Sequence, residues 1–240
     1  PSGVGFDIAC GNKAVLTDAN ADDVRRNIPR IMDDIFGHFV FGIGQKNRVR
    51  VDHELFDDDA WRLVAVKPLK EMAREQLGTI GGGNHYVDIL VDEQERVWIA
   101  VHFGSRGLGH KTATWFLEKG GAKDGMDVEP LVIPATSALG EDYLACMHLA
   151  GRYAYAGRDW VCAEAARRLG WCIRDEVHNH HNFAWRETHD GEKLWVVRKG
   201  ATPAFPDQYG FVGGSMGDDA VILRGVESEA SKASLYSTVH

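Results

Sequence analysis

Apolar and polar positions along this chain follow two periods, and the switches between them mark its elements. Val24, Ile28, Ile31 and Ile35 recur at helical spacing. Pro29 places the firm start of that helix close to itself, because proline suits a first turn. Residues 68–76 predict a second helix with proline in its first turn and Gly78 closing it. Leu144, Met147, Tyr153, Ala154, Trp160, Val161, Ala165 and Leu169 carry helical spacing from residue 141 to about 178. Gly151, Gly157 and Gly170 interrupt that run, so two helices or one bent helix are expected. Alternation predicts strands at residues 4–8, 14–16, 86–92, 96–103, 194–198 and 220–223. The turn at residues 92–95 joins two of these as a hairpin. In its second strand Val97, Ile99, Val101 and Phe103 share one face, and Trp98, Ala100 and His102 the other. The polar stretch between Gly37 and Pro68 reads as a loop.

Helices and strands intermixed, with no repeat, linker or low-complexity run, predict an α+β fold in a single domain over residues 1–240. A hydrophobic fraction of 44% and a charged fraction of 26% are those of a soluble globular chain. No stretch approaches the ~18 consecutive apolar residues of a membrane span. Four cysteines, at 10, 146, 162 and 172, form no Cys-x-x-Cys pair, which predicts reduced thiols in a cytoplasmic protein. A net charge of −8 excludes a broad polyanion-binding face, so any nucleic-acid contact must come from a local basic pocket. Glycine, 27 residues of 240, gathers in short motifs, where it marks tight turns near ligands.

Two of those motifs carry metal chemistry. His85 begins a strand after a glycine run, and His102 ends the partner strand, so pairing them brings two imidazoles to one end of a sheet. Asp7-x-x-Cys10 and His178-Asn179-His180-His181 add a carboxylate, a thiol and further imidazoles. Taken singly, Asp7-x-x-Cys10 reads first as a turn with a buried thiol and His102 as a core histidine, and the histidine run reads as readily as a surface cluster. Together they offer the donors of a divalent transition ion such as Zn, Mn, Co or Fe, with a Cys10 thiolate able to bridge two ions. Gly104-Ser105-Arg106-Gly107, directly after His102, offers backbone N–H groups and a guanidinium to a phosphate. Arg198-Lys199-Gly200 and Gly214-Ser215-Met216-Gly217 are two further phosphate candidates.

Six stretches, in one order, resemble the RtcB family of RNA-splicing ligases: Gly3-Val4-Gly5-Phe6-Asp7-Ile8-Ala9-Cys10-Gly11, Gly81-Gly82-Gly83-Asn84-His85, His102-Phe103-Gly104-Ser105-Arg106-Gly107, His181-Asn182, Arg198-Lys199-Gly200-Ala201-Thr202 and Gly214-Ser215-Met216-Gly217. The resemblance implies sheets lining a dinuclear metal cleft with helices packed outside. It implies joining of RNA 2′,3′-cyclic phosphate or 3′-phosphate ends to 5′-hydroxyl ends, with GTP and two Mn²⁺ ions. Carried over by motif, Asp7, Cys10 and His85 hold one ion and Cys10, His102 and His181 the other. Asn84 contacts a guanylate phosphate, Asp88 lies near the ribose in place of the family's usual Glu, and Ser215 faces the nucleotide. Ser237-Thr238-Val239-His240 matches the start of the nucleophile motif, making His240 the residue that becomes guanylated. The family's early segment and the part after its nucleophile are not in this sequence, so the chain is expected to be incomplete at both ends. Gly213 and Ala220 also depart from the family pattern.

RNA, as tRNA halves or broken strands, is expected to meet Arg106, Arg198, Lys199 and Arg158 around the pocket, with an activating protein as a further partner. Two other classes compete with the ligase: a dinuclear phosphohydrolase using metal-bound water, for which His240 and GTP are irrelevant, and a non-enzymatic metal- or RNA-binding remnant.

Overall fold

A computed structural model describes residues 1–122, 129–214 and 217–240. Its centre is a four-stranded antiparallel sheet in the order β2-β3-β1-β4, from β1 (Gly11–Asn20), β2 (Tyr86–Val91), β3 (Arg96–Phe103) and β4 (Ile173–His180). Three two-stranded ladders follow: β5 (Asn182–His189) with β6 (Glu192–Lys199), β7 (Thr202–Pro203) with β10 (Ser237–Thr238), and β8 (Tyr209–Val212) with β9 (Val221–Arg224). The helices are α1 (Ala21–His38), α2 (Lys70–Gln76), α3 (Arg106–Lys119), α4 (Ala138–Leu169) and α5 (Glu229–Ala233). The mixed α+β class is as expected. Among the described residues no helix is long and apolar enough to cross a membrane.

Helices cover one face of the central sheet. Val97, Ile99, Val101 and Phe103 of β3 pack with Val24, Ile31 and Ile35 of α1 and Val161 and Ala165 of α4. The opposite face buries Ala14, Trp98, Ala100 and Val177 under Phe211 of β8, and His102 opens on this side. The two-faced alternation of β3 therefore separates the helix-covered layer from a second, largely apolar face, and the polar end of that face at His102 lies on the floor of a cleft.

Local expectations fail where tertiary contacts outweigh them. Residues 4–8 form turns rather than a strand: Val4 and Ile8 are buried, but Ala9 adopts a left-handed φ of 60°, which breaks any ladder. The strand expected at residues 14–16 runs from Gly11 to Asn20. α1 starts at Ala21, not near Pro29, because the Asn20 side chain accepts from the Asp23 N–H and Asp22 and Asp23 favour the first turn. Helix α4 is continuous through Gly151 and Gly157, which sit against Phe183 and Phe103, and it ends at Gly170 with φ 74°. The segment expected to continue it to 178 is β4. Short 3-10 turns at Glu54–Asp57 and Asp59–Arg62 occupy the expected loop.

Candidate metal and nucleotide site

β1 and β3 pair so that Asn12 stands opposite His102, and β2 follows His85 directly. The turn holding Asp7 and Cys10 is tied down between these strands. Its Ile8 carbonyl accepts from the Ser105 hydroxyl at 2.5 Å, and the Ala9 N–H donates to the Asn182 carbonyl at 2.7 Å. The Cys10 carbonyl accepts from His181 N–H at 2.9 Å, which fastens the third imidazole to the same turn. Gly104 lies where a β-carbon would strike the Asp7 carboxylate, so this glycine is what lets the Asp7 turn approach the end of β3.

The outcome is a compact donor set. Cys10 Sγ lies 3.8 Å from His85 Nε2 and 3.5 Å from His102 Nε2, and the three ligand atoms fall within 4.8 Å of one another. Asp7 Oδ2 is 3.1 Å from His85 Nε2. The His181 ring stacks on His102 at 5.0 Å, and its Nδ1 is buried with no hydrogen-bond partner. A thiol between two imidazoles, a carboxylate on one flank and an unpaired imidazole nitrogen on the other are a donor set that would suit a divalent transition metal.

Electrostatics keep these donors in usable states. Burial, reinforced by neighbouring His85 and Arg158, pushes His102 down to about 3, and burial with His102 nearby pushes His181 down to about 2. Both rings are neutral at physiological pH. Burial tends to raise Asp7, but the hydrogen bonds and charge of His85 outweigh it, and the carboxyl is held below its ordinary range. Burial, then the Asp7 charge, drives the Cys10 thiol well above its usual value, so a thiolate there needs a cation beside it.

A cleft of about 840 Å³ opens over this floor, lined by Asn84, His85, His102, His181, Asp88 and His240 together with α1. His240 is exposed, its ring 4.7 Å from that of His181. It also passes over Gly200, where a β-carbon would come within 3.0 Å of it. Asn84 Nδ2 approaches His102 Nε2 at 3.4 Å. Ser215 lies outside the described residues.

The expected cations sit elsewhere. Arg106, at a left-handed φ of 55°, runs beneath Gly81 and reaches His85 Nδ1 at 3.0 Å and Thr79 at 3.4 Å; it braces a donor and does not line the cleft. The glycine string around it is the first turn of α3 rather than an anion loop. Arg158 is fully buried, donating to the Ala9 and Phe103 carbonyls at 3.0 and 2.6 Å and to His178 and His180, so it holds two donor loops from below and does not reach the cleft surface. Arg198 is 2% exposed and is spent on Glu187, Ser237 and Leu235. Lys199, on the other face of β6, is exposed and crosses Gly5. Among the described residues the cation on the cleft wall is Arg25 of α1, paired with Glu95 at 2.6 Å, which no motif announced. Asn12 was equally silent. Its Oδ1 lies 2.6 Å from His102 Nδ1, but the sequence shows it only as a turn residue.

A family model described as tRNA-splicing ligase RtcB matches residues 59–240. The chain is 31% identical to an RNA-splicing ligase RtcB of Escherichia coli K12, an alignment covering 96% of this chain and 64% of that protein. It is 32% identical to tRNA-splicing ligases RtcB of Archaeoglobus fulgidus, covering 100% and 65%, and of Thermococcus kodakarensis, covering 95% and 63%. The chain thus spans somewhat under two thirds of the length of each of these relatives.

Proposed function

The chain belongs to the tRNA-splicing ligase RtcB family, and from that premise and the donor set in its cleft we propose that it is an RNA ligase. The observation that carries the reading is Cys10 standing between His85 and His102, with Asp7, His181 and His240 gathered around the same cleft.

Asp7, Cys10 and His85 would hold one Mn²⁺ and Cys10, His102 and His181 a second. Such ions neutralise phosphate charge and make phosphorus more electrophilic. The protein's own work is positioning and proton control. Asn12 keeps the His102 proton on Nδ1, the Ile80 carbonyl accepts the His85 Nδ1 proton and leaves Nε2 free as a metal donor, and Arg158 fixes the Ala9 and Phe103 carbonyls beneath the donors. GTP would enter the cleft along β2, with Asn84 at a phosphate and Asp88 toward the ribose. The His240 imidazole would attack the α-phosphorus and release pyrophosphate, forming a phosphoramidate that carries GMP. GMP then passes to an RNA 3′-phosphate, and the 5′-hydroxyl of a second RNA displaces it, closing the phosphodiester. RNA, and an activating protein if one acts, would approach the same opening.

The test is the intact mass of the chain after incubation with Mn²⁺ and GTP. A GMP adduct absent from His240→Ala supports the reading. No adduct on a chain shown to carry metal rejects it, and phosphatase activity that survives His240→Ala would establish the hydrolase instead.

A further inference from the structure

The Arg198-Lys199-Gly200 motif reads from sequence as a phosphate ligand, but the Arg198 side chain is committed to the protein. Alternation along β6 sends Lys199 outward and Arg198 inward, over the Trp185 ring at 5.0 Å. Its Nη1 and Nη2 meet the two Glu187 oxygens at 2.6 and 3.1 Å. Nε donates to Ser237 Oγ at 2.8 Å and Nη2 to the Leu235 carbonyl at 2.7 Å. These last two partners belong to the segment that delivers His240.

That segment is not one the backbone adopts freely. Leu235 and Tyr236 both have φ of 50°, a left-handed conformation that ordinary side chains seldom take singly and rarely take in succession. Surroundings must hold it. The Tyr236 ring stacks on Phe205 at 4.9 Å and on His189 at 6.0 Å, and His189 Nε2 is 2.8 Å from Glu187. Glu187 therefore anchors both Arg198 and the histidine beneath Tyr236. After the turn, Ser237 and Thr238 pair with Pro203 and Thr202, and His240 arrives over Gly200 and against His181.

We propose that Arg198 and Glu187 are positioning residues for His240: by holding the left-handed turn at residues 235–236 they set where its imidazole stands relative to the metal donors. This rests on the reading of His240 as the nucleophile, and the pair acts through His240 without touching nucleotide or RNA.

The experiment compares Arg198→Lys, Glu187→Gln and the mild Ser237→Ala in the full chain. The first readout is the nuclear Overhauser contact between the His240 ring and the Gly200 α-protons, which needs no activity. The second is the single-turnover rate of guanylation against GTP concentration. The expected result is a weakened His240–Gly200 contact in all three variants. The saturated rate should fall on the order of a hundredfold in the first two, since a displacement near 1 Å has that effect, with the GTP concentration for half-saturation unchanged. Ser237→Ala, losing one hydrogen bond, should fall less and still fold. An intact contact in Ser237→Ala and Glu187→Gln overturns the proposal. So does a raised GTP requirement in Arg198→Lys with Glu187→Gln silent, which would make Arg198 a phosphate ligand. If the unaltered chain takes no GMP, the ligase reading has failed and the His240–Gly200 contact alone decides the positioning.

Discussion

Replacing Asn12 by leucine tests whether the metal site depends on a residue that no motif marks. Asn12 is 1% exposed on β1, opposite His102. Its Nδ2 donates to the Phe211 carbonyl at 2.9 Å, and that carbonyl can only accept, so Oδ1 must be the atom facing His102 Nδ1 at 2.6 Å. The imidazole proton is thereby fixed on Nδ1, and the Nε2 lone pair is turned toward Cys10. Asn12→Leu fills nearly the same space but strands the His102 Nδ1–H and the Phe211 carbonyl. Each such buried group costs about 1–3 kcal/mol, so the fold should lose about 2–6 kcal/mol. Freed from its acceptor, the ring can change tautomer, and metal affinity should fall about 10–100-fold, as for other lost partners of ligand histidines. Asn12→Asp separates the two effects. It keeps an acceptor for Nδ1 and should hold metal affinity near the original value, while still losing the bond to Phe211 and its share of stability. Calorimetric titration with Mn²⁺ and the visible spectrum of bound Co²⁺ measure the affinities, and urea unfolding the stabilities. Original affinity in Asn12→Leu, or equal loss of affinity in both variants, would refute the argument.

Cys10→Ala removes the shared donor and should abolish binding of both ions; two tightly held metals in that variant would sink the ligand assignment. Because the Cys10 thiol is held well above its usual value, metal uptake must release a proton, so affinity should climb as pH rises, and a flat profile from pH 6 to 8 contradicts this. His102, His178 and His181, pushed down to about 3, 3 and 2, fold neutral. Their contribution is whole above the unfolded value of about 6.5 and is lost as pH falls toward the folded ones, so the metal-free chain should destabilise with acid by up to about 1.4 kcal/mol per pH unit per ring. Unfolding free energies that stay level between pH 7 and 5 would count against that burial. Gly104→Ala drives a β-carbon into the Asp7 carboxylate and should weaken metal binding at least tenfold, on the general cost of misplacing a ligand's surroundings; unchanged Co²⁺ spectra would show that the Asp7 turn yields.

Sequence legibility ended at the point where one element's role is decided by another. The two faces of β3 could be read directly, since alternation is a property of one strand, and so could the meeting of His85 and His102 across a short hairpin. The helical run of α4 was legible in its periodicity, but its end was not: the spacing predicts a broken or bent run to about 178, and one helix stops at Gly170 in the left-handed region. Beyond it, β4 is a strand because β1 is there to pair with it, and no local signal carries that. The same holds for the turn at residues 4–9. Its alternation is that of a strand, yet Ala9 is held left-handed while its N–H donates to the Asn182 carbonyl and the Ile8 and Ala9 carbonyls accept from Ser105 and Arg158, and this distortion points Asp7 and Cys10 at two histidines from elsewhere in the chain.

The arginines show the limit most clearly. A motif names the residue and suggests a charge, but whether that charge faces substrate or protein depends on partners that may be far away in the chain. Arg106, Arg158 and Arg198 all turn inward, each onto a backbone or side chain that holds a donor or His240 in place. Buried guanidinium groups are expensive unless their hydrogen bonds are met, and here the groups that meet them are the supports of the site. The glycines around them have a matching purpose: Gly81 admits the Arg106 guanidinium, Gly104 the Asp7 carboxylate and Gly200 the His240 ring. Glycine-rich motifs beside arginines therefore read here as close packing of a preorganised floor. The polar side chains that do line the open cleft, Asn84 and Arg25 among them, come from outside these arginine motifs.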